Sequence, residues 1–252
     1  MFSVVHVEHG PAWCNLAFDE ALVRAGPDRP TLWLWRNPPC VVLGRGQHAE
    51  REVDLAACSA AGVPVLRRGS GGGTVYHDYG NLNITLVGPA GLNPRTLLNA
   101  ALTSMLTRLG LTAELGKRGL FVGGAKLCGF AALRTAGGVL AHSTLLCSTP
   151  RERVTRYLTD APADPRPLDS ERSPVTSLTA GGITAPAEPL VLDAVAEQFG
   201  TARHRAPTRS ELDHHRRLVH TRYGFGPWHL AGTTRTTEEE VWTQQPASIS
   251  TG

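Results

Sequence analysis

The stretch "RRGSGGGTVYHD", residues 67–78, joins two arginines to three consecutive glycines and then to a β-branched and aromatic run. Glycines 71–73 carry no Cβ and can adopt positive φ, so the backbone there can approach a ligand closely. Successive N–H groups in such a turn form a concave anion site, and the guanidinium groups of Arg67 and Arg68 match phosphate or carboxylate oxygens. A glycine-rich hairpin at a sheet edge is the structural alternative, but it explains neither arginine. The stretch therefore predicts a loop that receives a phosphate-bearing ligand, although it matches neither a P-loop nor a Rossmann turn.

Composition limits the function classes to which the chain can belong. Its 252 residues, 41% of them hydrophobic, suit one large domain. A formal net charge of +3 without a Lys/Arg-rich run predicts no nucleic-acid partner. No apolar run reaches about 18 residues and the first residues lack signal-peptide features, so we expect no membrane span and no secretion. Five cysteines without metal-site spacing predict reduced thiols in the cytoplasm: Cys14, Cys40, Cys58, Cys128 and Cys147.

Hydrophobic periodicity and turn residues predict an order of elements that does not alternate strictly. Helices are predicted at 15–26, 53–62, 93–110, 151–158, 188–200 and 210–224. Strands are predicted at 31–36, 40–44, 63–68, 74–78 and 81–88 and, separated by glycine turns, through 120–149. Because strands and helices come in groups, we expect an α+β fold with a mixed β-sheet packed with helices rather than a doubly wound α/β fold.

A second group of candidate residues lies in "GGAKLCGFA" (123–131) and "LAHSTLLCS" (140–148). Lys126 is one of only two lysines in the chain and lies among small and apolar residues. A lysine at a solvated strand edge is the structural explanation. The functional one is a half-buried ammonium aimed at an acyl or phosphate oxygen, where it would stabilise charge that develops during group transfer. His142, in an otherwise apolar strand, is more often a packed core histidine than a catalyst.

These segments together resemble a known family. The run "RRGSGGGTVYHDYGNLNITL" (67–86) is similar to the long glycine motif of lipoate–protein ligases and the related octanoyltransferases, and "AKLCGFA" (125–131) resembles their catalytic-lysine motif. Four shorter matches are "NLAFDEAL" (15–22), "LWLWRNPPCVVLGRGQ" (32–47), "AHSTLL" (141–146) and "SPVTSL" (173–178). The resemblance covers roughly residues 10 to 230 and implies a biotin/lipoyl protein ligase-type catalytic domain at 1–230. The remaining residues, 231–252, are expected to form a polar, mobile tail without an accessory C-terminal domain.

The resemblance also implies a chemistry and a set of site residues. The carboxylate of lipoate or octanoate attacks the α-phosphate of ATP, and a lysine of a lipoyl domain then takes the acyl group from the adenylate. Lys126 is implied as the catalytic residue, and His142 and Gly129 as parts of the acyl pocket. The implied nucleotide and acyl-adenylate site consists of Arg67, Arg68, Ser70, Gly71, Gly72, Gly73, Thr74, Val75, Tyr76, His77, Asp78, Asn81 and Asn83. Mg²⁺ is expected with the triphosphate, although the sequence contains no recognisable metal-ligand motif.

The expected acceptors are lipoyl domains of 2-oxoacid dehydrogenase E2 subunits or a glycine cleavage H-like protein. The sequence departs from the family in three places. Because no accessory domain is expected, either a separate small accessory protein completes the ligase or the enzyme needs no adenylation. A transferase cysteine is missing from both family positions, which leaves Cys128 and Cys147 as candidate nucleophiles for the alternative of an octanoyltransferase that uses acyl carrier protein. Ser143 replaces a usual glycine, and it either narrows the acyl tunnel or packs. A degenerate protein that only binds lipoyl domains is the non-enzymatic alternative.

Overall fold

The computed structural model describes residues 1–8, 10–160 and 164–235. In these residues the strands are β1 (Phe2–Val5), β2 (Thr31–Trp35), β3 (Cys40–Leu43), β4 (Val65–Arg67), β5 (Val75–His77), β6 (Asn81–Gly88), β7 (Glu114–Gly116), β8 (Gly119–Val122), β9 (Ala125–Arg134), β10 (Val139–Leu146) and β11 (Ala202–Arg205). The helices are α1 (Ala12–Arg24), α2 (Ala49–Glu52), α3 (Leu55–Ala60), α4 (Pro94–Arg108), α5 (Arg151–Arg156), α6 (Ala187–Phe199), α7 (Arg209–Leu218) and α8 (Gly226–Ala231), with a π-helical turn at Val219–Tyr223.

The described strands form two sheets. The larger one has eight strands in the order β11-β1-β2-β6-β10-β9-β8-β7, and the smaller one has the order β4-β3-β5. Strand β1 is parallel to β2 and β11, and β3 is parallel to β4, whereas the pairs from β2·β6 to β7·β8 are antiparallel. The prediction of an α+β fold with a mixed sheet packed with helices is confirmed.

The large sheet is covered on both faces because its strands alternate apolar side chains between them. Residues such as Leu82, Ile84 and Leu86 pack with the apolar faces of α4 and α6 in one cluster. Trp33 and Trp35 stack on each other, with ring centroids 4.7 Å apart, and pack against α1 on the other side. Among the described residues no helix is both long and apolar enough to cross a bilayer.

The small sheet carries the glycine loop to the large one. Strands β4 and β5 flank β3, so the connection through residues 68–74 leaves one end of the small sheet. At Gly72 this loop comes so close to β9 that an added Cβ would lie 3.3 Å from the Cβ of Ala131. The φ of Gly72 is +92°, which L side chains rarely adopt, so this turn requires glycine for two reasons.

The predicted helices 15–26 and 210–224 differ most from the observed ones. Helix α1 begins at Ala12 rather than at residue 15, so Asn15 is buried inside it, where its side-chain amide donates to Asn37 Oδ1 at 2.9 Å. The helix predicted at 210–224 ends at Leu218 and continues as the π-helical turn. The start of the predicted tail is held in place, because the Arg235 amide donates to the carbonyl of Thr221 at 2.8 Å. Residues 236–252, the rest of that tail, lie outside the described residues.

Candidate active site

A cavity of about 250 Å³ lies between the large sheet and the glycine loop, with residues from 154–160 and 170–175 as a further wall. Ten predicted site residues line it: Arg68, Gly73, Thr74, Val75, Tyr76, His77, Asn83, Lys126, Gly129 and His142. Six others do not line it within the described chain: Arg67, Ser70, Gly71, Gly72, Asp78 and Asn81. The structure therefore brings the lysine motif and the glycine motif to one cavity, although 50 residues separate them in sequence.

Lys126 lies at the start of β9, and both its backbone N–H and its carbonyl are hydrogen-bonded to the segment 173–178. Its amide donates to the Pro174 carbonyl at 2.8 Å, and its carbonyl accepts from the Thr176 amide at 3.0 Å. The "SPVTSL" segment thus forms a short bridge along the lysine. The Lys126 ammonium lies 5.6 Å from the centre of the Phe121 ring, within reach of a cation–π contact.

Burial lowers the pKa of Lys126, since removing water disfavours the charged ammonium. The carboxylate of Glu171 partly offsets this lowering of the pKa, and the guanidinium of Arg118 adds to it. Glu171 and Arg118 also line the cavity. A half-buried ammonium at the wall of a cavity can stabilise negative charge on a bound acyl or phosphate oxygen.

Arg68 is buried, and its guanidinium shapes the glycine loop. Its Nη2 donates to the carbonyls of Gly71 at 2.6 Å and Gly73 at 2.8 Å, and its Nη1 donates to the Val42 carbonyl at 3.2 Å. Burial lowers the pKa of Arg68 to about 10, so the group stays protonated near neutral pH. In the described chain the amides of glycines 71–73 donate to no protein acceptor. The loop therefore has its carbonyls bound by Arg68 and its amides available, as an anion site requires.

The expectation that Arg67 binds the nucleotide does not agree with the structure. Neighbouring residues of a strand point to opposite faces, so Arg67 points away when Arg68 faces the cavity. The Arg67 guanidinium donates to the carbonyls of residues 44, 45 and 47 and of residues 228–230. Arg67 is 2% exposed and ties α8 to the turn after β3. These contacts suit a structural role for Arg67.

His142 lines the cavity and has a partner on each ring nitrogen. Its Nδ1 lies 2.6 Å from Asp19 Oδ2, and its Nε2 lies 2.7 Å from Ser70 Oγ. Asp19 was not among the predicted site residues. The signal for it was present, because Asp19 lies within the apolar pattern of α1 and a carboxylate buried there needs polar partners.

His77, at the end of β5, also lines the cavity and is held there as a neutral imidazole. Burial, together with the nearby positive charge of Arg68, lowers the pKa of His77 to about 3. Asn37 Nδ2 lies 3.1 Å from its Nδ1, and the Thr144 hydroxyl lies 3.4 Å from its Nε2. With the Asn37 amide as donor, His77 carries its proton on Nε2 and presents no positive charge to the cavity.

Two more residues that the sequence did not predict fix the end of the glycine loop. Gln47 Oε1 accepts from the Thr74 hydroxyl at 2.7 Å, and Gln47 Nε2 donates to Ser170 Oγ at 2.9 Å. Ser170 Oγ also accepts from the Thr74 amide at 2.8 Å. Gln47 is the last residue of the "GRGQ" turn, so this turn and the segment around Ser170 meet at the loop.

Asp78 and Asn81 act at the turn between β5 and β6 rather than in the cavity. Asp78 Oδ1 accepts from the Gly80 amide at 2.9 Å and from the Thr149 hydroxyl at 2.6 Å. Asn81 Nδ2 donates to Asn83 Oδ1 at 3.2 Å. Of this group, Asn83 alone lines the cavity, and its own Nδ2 is buried without a hydrogen-bond partner among the residues that the structure describes.

The candidate nucleophilic cysteines lie in unreactive environments. Cys128 is 1% exposed and its Sγ lies 2.5 Å from Ser143 Oγ, while burial raises the pKa of the thiol to about 12. Burial also raises the pKa of Cys147, which does not line the cavity in the described chain. A thiol nucleophile reacts as the thiolate, which both environments disfavour. Ser143, which replaces the usual glycine, is 2% exposed, contacts Cys128 and also lines the cavity.

The comparison with protein families agrees with this site. The family model described as lipoyl protein ligase A/B catalytic domain matches residues 11–200. The chain therefore belongs to the lipoyl protein ligase A/B catalytic domain family. Lipoate-protein ligase A of Psychrobacter cryohalolentis is 34% identical over 170 residues, which cover 67% of this chain and 49% of that protein. The chain thus matches about half the length of this curated relative.

Solved structures show the same fold. A chain of an archaeal lipoylation system from Thermoplasma acidophilum, described as a bipartite lipoate protein ligase with its E2 lipoyl domain, superposes with a TM-score of 0.80 and 26% identity, covering 94% of this chain and 98% of that chain. A lipoate-protein ligase A bound with ATP superposes with a TM-score of 0.77 and 27% identity over 90% of this chain and 98% of that chain. These are catalytic domains of the expected type.

Proposed function

We propose that this protein activates lipoate or octanoate with ATP and transfers the acyl group to a lysine of a lipoyl domain. The observation that carries the proposal is that Lys126 and the glycine loop line one cavity. Of the residues that line the cavity, Gly73 and Arg68 suit the binding of phosphate oxygens, and the Lys126 ammonium suits the acyl end. Its neighbours His77 and Asn83 are held without charge, which suits the binding of an uncharged acyl chain beyond the phosphate.

The chemistry consists of two displacements. A carboxylate oxygen of the acid attacks the α-phosphorus of ATP, so that the bond to pyrophosphate breaks and an acyl-adenylate forms. The amine of the acceptor lysine then attacks the acyl carbonyl, loses a proton and releases AMP. Lys126 lies where its ammonium can neutralise the charge that develops on the phosphoryl oxygens in the first step and on the carbonyl oxygen in the second. The glycine loop contributes by positioning the reacting groups for both displacements.

Two carboxylates among the described cavity residues, Asp160 and Glu171, suit Mg²⁺ that is held mainly by substrate phosphates. No group of three His, Cys, Asp or Glu in the described chain could form an all-protein metal site. We therefore propose that Mg²⁺ enters with ATP, and that these two carboxylates complete its coordination.

The proposed acceptors are lipoyl domains of E2 subunits or of a glycine cleavage H-like protein, since the Thermoplasma ligase occurs with an E2 lipoyl domain. That ligase is bipartite, and this chain resembles one of its chains over 98% of that chain's length. We propose that a separate small accessory protein supports adenylation by this chain, with residues 1–230 as the catalytic unit. A supply of ATP and unpaired cysteines fits the cytoplasm.

The site disfavours the cysteine-dependent alternative. Cys128 lines the cavity, but burial raises the pKa of its thiol, and Cys147 is not among the described residues that line the cavity. A direct test incubates the purified chain, with and without a candidate accessory protein, with Mg²⁺, ATP, lipoate and a lipoyl domain. We expect the acceptor to gain one lipoyl group by mass spectrometry only when ATP is present. ATP-independent transfer from octanoyl-acyl carrier protein would contradict the proposal.

A further inference from the structure

A continuous chain of buried polar groups runs from α1 to the glycine loop, and nothing so far described uses it. Asp19 contacts His142 at 2.6 Å, and His142 contacts Ser70 at 2.7 Å. The Ser70 hydroxyl oxygen in turn accepts from Arg68 Nε at 3.0 Å. Because a carboxylate can only accept, His142 carries a proton on Nδ1, and in the neutral imidazole its Nε2 accepts from the Ser70 hydroxyl. Every hydrogen bond in this polar chain therefore has one direction.

The Asp19 end of the polar chain is fixed by the large sheet. Asp19 is 4% exposed, and its Oδ1 accepts from the Thr85 hydroxyl at 2.5 Å. The Thr85 hydroxyl oxygen accepts from Trp35 Nε1 at 3.0 Å, so its own proton is directed to the carboxylate. A buried carboxylate with two charge-assisted hydrogen bonds has little freedom to move.

The Arg68 end determines which groups of the glycine loop face a ligand. Arg68 binds the carbonyls of Gly71 and Gly73, and the amides of this loop remain without protein acceptors in the described chain. If Arg68 turned, those carbonyls would be released and could face the ligand in place of the amides. The negative charge of Asp19 favours the protonated Arg68, because it raises the pKa that burial lowers. The two ends are thus coupled by charge as well as by hydrogen bonds.

The order of contacts matches that of a Ser–His–Asp nucleophilic triad, but the surroundings do not. Ser70 is 2% exposed and is not among the described residues that line the cavity. Its oxygen already accepts from Arg68, and its proton is given to His142. A hydroxyl enclosed in this way cannot reach an acyl carbonyl, so the chain is better suited to hold Arg68 than to attack a substrate.

We propose that Asp19 is a positioning residue, which acts through His142 and Ser70 to hold Arg68 and thereby keeps the amides of the glycine loop directed toward a phosphate-bearing ligand. The inference rests on the proposed function, since the ligand is taken to be the nucleotide or the acyl-adenylate. It assigns to the "NLAFDEAL" helix, whose Leu16 lines the cavity, a second role in that site through Asp19.

A first measurement needs no ligand. The Nε–H resonance of Arg68, assigned with an Arg68→Lys variant, is compared by NMR in the wild type, in Asp19→Asn and in Asp28→Asn. Asp28 is exposed and pairs with Arg29, so its variant removes an acidic charge outside the polar chain. We expect the resonance to be retained in the wild type and Asp28→Asn and to be broadened or lost in Asp19→Asn. Its retention in Asp19→Asn would overturn the proposal.

A second measurement uses the affinity for a non-reactive sulfamate analogue of lipoyl-adenylate, determined by calorimetry. Asp19→Asn and Ser70→Ala should each weaken binding about tenfold, the scale of one charge-assisted hydrogen bond. The double variant should bind the analogue no more weakly than the single variant of lower affinity, because both substitutions interrupt the same polar chain. Additive losses would overturn the proposal, as would labelling of Ser70 by a fluorophosphonate.

These measurements distinguish a failure of the proposed function from a failure of the positioning role of Asp19. If the wild type does not bind the analogue, the proposed function is contradicted, whereas the Arg68 resonance still decides the positioning. If Asp19→Asn does not fold, Ser70→Ala interrupts the same chain and should lose the Arg68 resonance and about tenfold in affinity. Unchanged resonance and affinity in Ser70→Ala would contradict the positioning.

Discussion

Lys126 and Pro174 are joined by a hydrogen bond of 2.8 Å from the amide of the one to the carbonyl of the other. This bond attaches the "SPVTSL" segment to β9, the strand that carries Lys126. The Thr176 amide completes the bridge by donating to the carbonyl of Lys126 at 3.0 Å. The position of the ammonium therefore depends on residues about 50 positions away, and several consequences can be measured.

The pH dependence of adenylation should reflect the environment of Lys126. Burial lowers the pKa of Lys126, and the ammonium is the form that stabilises phosphoryl charge. As pH rises through this lowered pKa the charge is lost, so kcat/KM should fall at a pH below the usual lysine range. In Lys126→Arg, whose side chain stays charged, that alkaline decline should disappear even if the rate is lower. An identical alkaline limb in both proteins would assign it to another group.

Substitution of Gly72 should block ligand binding as well as strain the turn. In Gly72→Val the new side chain would meet Arg68 Nη2 at 3.0 Å and the Ala131 Cβ at 3.3 Å, and φ is +92°. Gly62→Val is the matched control, since Gly62 has φ +64° but open space around it. Both variants should lower Tm, and only Gly72→Val should lose affinity for the adenylate analogue. Equal affinity in the two folded variants would refute the loop as a ligand cradle. Gly73→Val, which would meet Ser170 Oγ at 2.9 Å, should behave like Gly72→Val.

Arg67 and Arg68 should separate in a stability assay, although they are neighbours in the motif. Arg67→Ala leaves the carbonyls of α8 and of the turn after β3 without their buried donor, which should cost about 3 kcal/mol in the free energy of unfolding. The folded fraction should still bind the adenylate analogue with wild-type affinity, because Arg67 does not contact the cavity. If Arg67→Ala lost much of its affinity for the adenylate analogue without losing stability, Arg67 would belong to the binding site.

None of the cysteines should be essential. A variant with all five replaced by Ser or Ala should retain ATP-dependent transfer of octanoate to a lipoyl domain. Some stability should be lost, since Cys40 and Cys128 are at most 1% exposed. The octanoyltransferase alternative would be supported if Cys128→Ser or Cys147→Ser abolished transfer and the wild type formed a thioester adduct detectable by mass spectrometry.

An accessory protein should affect one half-reaction more than the other. Measured on the purified chain, transfer from supplied lipoyl-adenylate should proceed, whereas activation of free lipoate should be slow until the accessory protein is added. The physical reason is that one domain must first enclose ATP and then admit a lipoyl domain. Efficient adenylation by the chain alone would show that no partner is required.

The sequence predicted the two motifs of the site but not how they are supported. The glycine triplet and Lys126 were identifiable because the backbone freedom of the one and the charge of the other are local properties. Gln47 and Ser170 were missed, because they reach the loop through tertiary contacts between segments 123 residues apart. Strand alternation did contain the information that Arg67 and Arg68 face opposite ways. The apolar pattern of α1 likewise marked Asp19 as a buried carboxylate that needed partners.

The most direct test of the account is transfer from chemically prepared lipoyl-adenylate to a lipoyl domain, because it depends neither on ATP binding nor on an accessory protein. Lys126→Ala is compared with Lys117→Ala, which removes the chain's other lysine, an exposed side chain after β7. We expect Lys117→Ala to transfer at the wild-type rate and Lys126→Ala to be slower by about two orders of magnitude, with Tm unchanged. A Lys126→Ala protein that transfers at a near-normal rate would contradict the assignment of Lys126.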